Sequence, residues 1–199
     1  MKLYLIRHGE PSYSNCTQRG LKGQGRDLAA LNEEGIQQIL DITLPRLANH
    51  SAQIILSSPY TRSLQTAAII ASKTGLITKV AHDLHEWIPD MTFNYATYKE
   101  LKSLYHDFYK HRGILPDNPD VLSSILWEDL LTFRARVNNA LATYEGAYES
   151  AIVVAHGMVI QSLTGQHIGY GEVIEMNYIP DMLFPEWVFS APKDVPMAE

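Results

Sequence analysis

The chain has 199 residues, of which 46% are hydrophobic and 19% charged, and its formal net charge at pH 7 is −6. This composition fits one globular domain, and the acidic balance without a basic stripe argues against a nucleic-acid partner. The single cysteine, Cys16, excludes an intramolecular disulfide, and no apolar run is long enough to span a bilayer. Because the N-terminus has no signal-peptide pattern, we expect a cytoplasmic protein that has no contact with membranes.

Four short apolar runs predict the strands of a buried sheet. They cover residues 2–6, 53–57, 76–80 and 151–155. Segments with helical spacing of apolar residues separate these runs, which is typical of a three-layer α/β sandwich with a mainly parallel central sheet. Two closing strands are expected near 173–178 and 186–190, with the direction of these edge strands left open.

Polar and glycine-rich residues between the first strand and Asn32 predict a functional surface loop. Asn32 is a good N-cap for a helix that Pro45 should kink or end. After the second strand, Ser58 as N-cap and Pro59 as the first helical residue predict a further helix, which Gly75 should end.

Residues 87–125 are interpreted as a helical, lid-like insertion in a single domain that covers residues 1–199. Aromatic and apolar residues within this insertion are spaced as on one helix face. They are Tyr98, Leu101, Tyr105 and Phe108. This stripe is interpreted as core rather than as a ligand-binding surface. A long helix is predicted over about 127–148, and a short one after His156.

Cationic and imidazole side chains follow three of the predicted strands. Arg7 and His8 end the first strand, Arg62 follows the second, and His156 follows the strand at 151–155. The carboxyl ends of parallel strands meet at one edge of a sheet, so these residues should converge. Such a cluster would repel itself without an anion, and phosphate suits two arginines and two histidines best.

Four sequence blocks carry a resemblance to a known family. They are LIRHGE at 5–10, SSPYTRSLQTA at 57–67, LHEW at 84–87 and VAHG at 154–157. Their order and spacing resemble those of the histidine phosphatase superfamily, the phosphoglycerate mutase-like proteins, over about residues 2–190. The resemblance implies a phosphoglycerate mutase-like fold and chemistry without a metal or another cofactor.

The same resemblance implies a role for five residues of these blocks. His8 would be the nucleophile and pass through a phosphohistidine, while Arg7, Arg62 and His156 would hold the phosphoryl oxygens. Glu86 would protonate the leaving oxygen and then help to activate water. These roles agree with elementary chemistry, because neighbouring cations favour a neutral imidazole and arginine forks neutralise phosphoryl oxygens.

Two assignments leave alternatives open. The family often has an asparagine six residues after its nucleophile, where this chain has Ser14. Asn15 follows directly and is therefore the loop residue expected to bind substrate, with Ser14 and Gln24 as alternatives. For the proton donor, Asp83 and Asp90 are alternatives close to Glu86.

The leading hypothesis is a metal-independent phosphatase that hydrolyses a small phosphomonoester. A phosphoglycerate mutase is an alternative, although mutases of this family are longer and shield the phosphohistidine from water. A non-catalytic phosphate-binding or interaction module is another, although both His8 and Glu86 are present. A metal site made of His8, His156 and a carboxylate is disfavoured by the two neighbouring arginines. The physiological substrate and the oligomeric state stay open.

Overall fold

A five-stranded sheet forms the centre of the molecule in the computed structural model, which describes residues 1–180 and 182–187. The strands, including those of a short separate hairpin, are β1 (Lys2–Arg7), β2 (Pro11–Ser12), β3 (Ala30–Leu31), β4 (Ile54–Ser57), β5 (Thr78–Val80), β6 (Ser150–Ala155) and β7 (Val173–Asn177). The central sheet has the order β5-β4-β6-β1-β7, in which only β7 is antiparallel to its neighbour. β2 pairs with β3 in the hairpin.

The predicted strands agree with this sheet. All four apolar runs form parallel strands, and the run at 173–178 forms the antiparallel edge. The strand expected at 186–190 falls mostly outside the described residues, and Glu186 and Trp187 are not in a strand.

Helices lie between the strands. They are α1 (Ser14–Gln18), α2 (Glu33–Gln38), α3 (Leu44–Arg46), α4 (Thr61–Thr74), α5 (Tyr98–Lys110), α6 (Pro119–Leu122), α7 (Leu130–Ala142) and α8 (Gly157–Thr164). A π-helical turn joins α2 to α3, and 3-10 turns cover Gly23–Leu28 and His82–Leu84. Among the described residues, no helix is both long and apolar enough to cross a membrane.

Alternating side chains of β1 enter two hydrophobic clusters on opposite faces of the sheet. Leu3 and Leu5 pack with residues of α5, α7 and α8, whereas Tyr4 and Ile6 pack with residues of α4 and of the π-helical turn. Full burial of each leucine or isoleucine contributes about 1.5–3 kcal/mol. The predicted three-layer sandwich is therefore confirmed, and its two cores hold the ends of β1, β4 and β6 at one edge.

Several predicted boundaries differ from the observed ones. α4 begins at Thr61 rather than at Pro59: the short hydrogen bond of the Ser58 hydroxyl, 2.7 Å, is made with His156, and its contact with the backbone N–H of Tyr60 is long, at 3.4 Å. Gly75 ends α4 as predicted, with a φ of 73° that favours glycine. The long helix predicted over 127–148 is shorter, since the Asp129 carboxylate accepts two backbone hydrogen bonds and caps α7.

The loop predicted between the first strand and Asn32 is more ordered than expected. It contains the hairpin of β2 and β3, α1 and a 3-10 turn. A close approach of Gly9 to Gly35 fixes it to α2: a Cβ on Gly35 would collide with the backbone of Glu10. The residue after the predicted nucleophile is thus packed directly on a helix backbone.

Candidate active site

A cavity of about 280 Å³ lies beyond the carboxyl ends of the parallel strands. Arg7 and His8 come from the end of β1, and Arg62 from the first turn of α4. Glu86 follows β5 and its 3-10 turn, while Gly157 begins α8 after β6. Four separate strand ends therefore supply the wall, as parallel α/β topology predicts.

His8 is held in one tautomer. Its Nδ1–H donates to the Gly9 carbonyl at 2.7 Å, since a carbonyl oxygen can only accept. Its Nε2 accepts from Arg62 Nε–H at 3.1 Å, since a guanidinium can only donate. Burial, helped by the charges of Arg62 and Arg7, holds the pKa of His8 well below its usual value. The imidazole is therefore neutral, with its lone pair on Nε2.

Arg62 is fixed from both sides. Besides its contact with His8, its Nη1 donates to Asp27 Oδ1 at 3.2 Å, and its guanidinium lies 4.8 Å from the Tyr60 ring. Burial raises the pKa of Asp27, and the charge of Arg62 opposes that shift. The pair holds the guanidinium in place, and Arg7 adds a second guanidinium that has no carboxylate partner among the described residues.

Only part of the Arg7 guanidinium forms hydrogen bonds with the protein. Its Nη1 donates to the Ile168 carbonyl at 2.8 Å, and its guanidinium lies 4.0 Å from the Tyr170 ring. Its Nε is buried without a hydrogen-bond partner among the described residues. A buried donor of this kind costs about 1–3 kcal/mol unless an acceptor binds it.

His156 lies behind the cavity wall and is fully buried. Its ring centre is 5.1 Å from that of His8, and its Nε2 shares a hydrogen bond of 2.7 Å with the Ser58 hydroxyl. Its Nδ1 has no partner among the described residues. Burial, together with the charge of Arg62, lowers the pKa of His156 well below its usual value. It is thus a second neutral imidazole beside His8.

Glu86 is a half-buried carboxyl group in the cavity wall that faces the cluster. Its Oε1 accepts from the backbone N–H of Trp87 at 2.9 Å, and its Oε2 from that of Met158 at 3.2 Å. Burial raises the pKa of Glu86 in spite of these two hydrogen bonds and of the charges of Arg62 and Arg7. A carboxyl group with a raised pKa beside a phosphate site is a competent proton donor.

An arginine on α7 holds the segment that carries Glu86. Arg136 forms a two-pronged pair with the buried carboxylate of Glu128, at 2.6 and 2.9 Å. The same guanidinium donates to the backbone carbonyls of Asp83, His85 and Glu86 at 2.7–3.0 Å. The backbone around the carboxyl group is therefore tied to a rigid helix.

The structure brings five of the six predicted site residues together: Arg7, His8, Arg62, Glu86 and His156. It does not bring Asn15 to them. Asn15 lies in α1 with its side chain exposed and outside the cavity wall, which Tyr13 lines instead. The expectation of a substrate contact by Asn15 is therefore not supported by the geometry.

Asp83 and Asp90 are not placed as proton donors. Asp83 is exposed, whereas Asp90 accepts three hydrogen bonds from Thr92 and Asn94 and stabilises their turn. A metal site on His8 and His156 does not fit either, because the positive charges of Arg62 and Arg7 act on both imidazoles and oppose a further cation.

The sequence analysis missed four side chains that shape the site. They are Asp27, Ser58, Tyr60 and Tyr170. Ser58 and Tyr60 belong to a block that was recognised, but their roles depend on the position of His156 and Arg62 in space. For Asp27, in the 3-10 turn over Gly23–Leu28, and for Tyr170, in an irregular segment, the sequence carried no signal of a contact with the arginines.

Comparisons with known proteins agree with this geometry. The sequence model of the histidine phosphatase superfamily (branch 1) matches residues 3–174. No curated protein sequence matches significantly.

Solved structures share the fold over nearly the whole chain. A mycobacterial glucosyl-3-phosphoglycerate phosphatase in complex with VO3 is 21% identical with a TM-score of 0.64, covering 88% of this chain and 92% of its own. The alpha-ribazole phosphatase of Shigella flexneri is 20% identical with a TM-score of 0.63, covering 89% and 90%. The Bacillus stearothermophilus protein YhfR is 20% identical with a TM-score of 0.67, covering 92% and 94%. At these identities the likeness shows a common, phosphoglycerate mutase-like fold.

Proposed function

Since the chain belongs to branch 1 of the histidine phosphatase superfamily, we propose that it is a phosphatase that hydrolyses a small phosphomonoester through a phosphohistidine on His8. The observation that carries the proposal is the state of His8. Its neutral ring is fixed by Gly9 and Arg62, with the basic Nε2 directed into a cluster of two guanidinium groups. A neutral nitrogen among fixed cations is suited to attack phosphorus.

In the first step, His8 Nε2 forms a bond to phosphorus while the bond from phosphorus to the ester oxygen breaks. Glu86 gives its proton to the departing oxygen, so an alcohol leaves and Glu86 becomes a carboxylate. Arg7 and Arg62 donate to the phosphoryl oxygens, with His156 as a third donor in its appropriate tautomer. These donors neutralise the charge that the oxygens carry in the transition state.

In the second step, water attacks the phosphohistidine. The Glu86 carboxylate takes a proton from the water as the bond between phosphorus and Nε2 breaks. Inorganic phosphate leaves, and His8 and Glu86 return to their starting states. Fixed guanidinium and imidazole groups supply the electrostatic stabilisation that a divalent cation supplies in other phosphoryl-transfer sites.

The test is hydrolysis of p-nitrophenyl phosphate in excess EDTA by the native chain and by His8→Ala, Glu86→Gln and His50→Ala. We expect native activity to survive EDTA, to disappear in His8→Ala, and to be retained in His50→Ala, a histidine outside the cavity. An acid-labile phosphate adduct on the native chain, absent from His8→Ala, would support the covalent intermediate.

Loss of activity in EDTA would overturn the mechanism. Phosphate binding without hydrolysis would favour a non-catalytic module, and conversion of 3-phosphoglycerate to an isomer instead of inorganic phosphate would favour a mutase. We further propose that residues 87–125 act as a lid-like insertion within one domain, that the protein works in the cytoplasm, and that a small phosphorylated molecule is its partner.

A further inference from the structure

The cavity extends beyond the phosphoryl-binding residues, and its outer wall is aromatic. Six aromatic side chains line this part: Tyr13, Trp87, Phe93, Tyr95, Tyr98 and Tyr105. Tyr98 and Tyr105, with Leu101, belong to the stripe that the sequence analysis assigned to the core. That interpretation holds for Phe108, which is fully buried, and for Tyr105, which packs against the core and also lines the cavity; it is wrong for Tyr98 and Leu101.

Several charged residues of the outer wall form hydrogen bonds with other residues of the protein. Arg26 donates to the Ala96 carbonyl at 2.6 Å and lies 5.2 Å from the Tyr13 ring. Asp27 accepts from Arg62, and Glu10 accepts from Asn32 at 3.2 Å. Arg26 and Lys102 also line the cavity, and neither forms an ion pair with another described residue. Aromatic rings outnumber these two cations in the outer wall, so the wall offers mainly flat surfaces to a ligand.

Backbone contacts hold the aromatic wall in shape. Gly23 N–H donates to the Tyr95 carbonyl at 2.8 Å, and Gly23 is packed so closely on Phe93 that a Cβ there would collide with it. The carboxylate of Asp90 accepts hydrogen bonds from the backbone N–H groups of Thr92 and Asn94 and so stabilises the turn that contains Phe93. A wall fixed before binding loses little entropy when a ligand enters.

The size of the cavity suits a phosphoryl group joined to one ring. Its volume is about 280 Å³, and an apolar cavity of about 150 Å³ is enough to hold benzene. The hydroxyls of Tyr13, Tyr95 and Tyr105 make no hydrogen bond to another described residue, so they can donate to a heteroatom of the ring. Burial raises the pKa values of all three, which keeps them uncharged.

We propose that the outer wall binds an aromatic or heteroaromatic ring in the alcohol part of the substrate, so that the preferred substrates are phosphomonoesters of ring-bearing alcohols. This inference rests on the proposed function, because the phosphoryl site fixes where the alcohol lies. Stacked or edge-to-face aromatic contacts add about 0.5–1.5 kcal/mol beyond burial of area. The expected preference for an aromatic ring over a saturated one therefore comes from aromatic contacts and not from hydrophobicity alone.

The experiment compares binding and turnover of 2-phenylethyl phosphate, 2-cyclohexylethyl phosphate and glycerol 3-phosphate, which share a primary-alcohol leaving group. Dissociation constants are measured calorimetrically on His8→Ala, in which turnover cannot interfere, and kcat/KM on the native chain. We expect the phenyl compound to bind roughly three- to tenfold more tightly than the cyclohexyl compound and more tightly still than glycerol 3-phosphate.

Tyr95→Leu, made in the His8→Ala background, should remove most of the preference for phenyl over cyclohexyl. The backbone contact of Tyr95 to Gly23 does not involve its ring, so the loop should keep its shape. Tyr148→Leu, which alters a tyrosine outside this cavity, should leave the preference unchanged.

Equal affinities for the phenyl and cyclohexyl compounds, or tighter binding of glycerol 3-phosphate, would overturn the inference whether or not the compounds are hydrolysed. The phenyl preference in binding, without hydrolysis of any compound by the native chain, would support the inference and overturn the proposed function.

Discussion

At the scale of single residues, the site depends on two groups whose pKa values are shifted in opposite directions. Burial and the neighbouring arginines lower the pKa of His8, whereas burial raises that of Glu86. In the proposed mechanism, the reactive state needs neutral His8 and protonated Glu86. A fall in pH through the His8 pKa protonates the nucleophile, and a rise in pH through the Glu86 pKa removes the proton that the leaving oxygen needs.

We therefore expect kcat/KM to follow a bell-shaped pH profile, with an acid limb below the ordinary histidine pKa of about 6.5. Glu86→Gln should lose the basic limb and keep the acid limb. Phenyl phosphate is the suitable substrate, because its leaving oxygen needs a proton more than that of p-nitrophenyl phosphate does, while the variant's residual rate should still be measurable. An unchanged basic limb in Glu86→Gln would show that another group is the acid.

The hydrogen bond between Ser58 and His156 allows a second prediction at this scale. Ser58→Ala leaves Nε2 of a fully buried imidazole without its 2.7 Å partner. We expect a loss of about 1–3 kcal/mol in the free energy of unfolding, measured by urea denaturation. Ser72→Ala, which alters an exposed serine on α4, should change stability by less than about 0.5 kcal/mol. Equal effects of the two substitutions would contradict this role of Ser58.

At the scale of elements, α7 controls the position of the proton donor through Arg136. Arg136→Lys keeps the charge but cannot reproduce the two-pronged pair with Glu128 together with three carbonyl contacts. We expect kcat to fall by up to about a hundredfold, while the affinity for inorganic phosphate, whose proposed ligands are Arg7 and Arg62, stays the same. Arg134→Lys, on the same helix, is the matched control. A parallel loss of phosphate affinity would indicate general damage instead of a displaced Glu86.

The contact between α2 and the residues after β1 is equally specific. Gly35→Ala places a methyl group against the backbone of Glu10, which cannot move aside as a side chain can. We expect a loss of at least about 1–3 kcal/mol and a lower unfolding temperature, whereas Glu34→Ala, an exposed neighbour in α2, should be nearly neutral. A stable Gly35→Ala variant with full activity would show that the helix can shift.

Elements that are determined by a short run of neighbouring residues were predicted well. Features that depend on contacts between residues far apart in the chain were not. The buried strands and the Gly75 cap follow from short runs of residues, so the sheet and four strand-end residues could be located from the sequence. The start of α4 could not be located from the sequence, because the Ser58 hydroxyl forms its short hydrogen bond with His156, which is 98 residues away in the chain. The outer wall of the cavity could not be predicted either, because the helical spacing of apolar residues does not tell whether Tyr98 and Tyr105 face the core or a cavity.

At the scale of the whole molecule, β1 lies between strands that come much later in the chain. It pairs with β6 and β7, and with no strand that precedes residue 150. A fragment of residues 1–149 should therefore lack both partners of the strand that carries Arg7, and we expect it not to fold. Circular dichroism and amide chemical-shift dispersion measure this, with the chain through residue 187 as control. A cooperatively unfolding fragment would contradict the prediction.

The late pairing of β1 has a consequence for synthesis in the cell. Lys2 lies beside Ser150 in the finished sheet, and a ribosome that adds about 5–20 residues per second needs on the order of ten seconds to cover that distance. During that time four apolar side chains of the nascent strand have no sheet to enter. The chain should thus depend on chaperones that shield its emerging N-terminus, and slower translation should increase the fraction lost to aggregation.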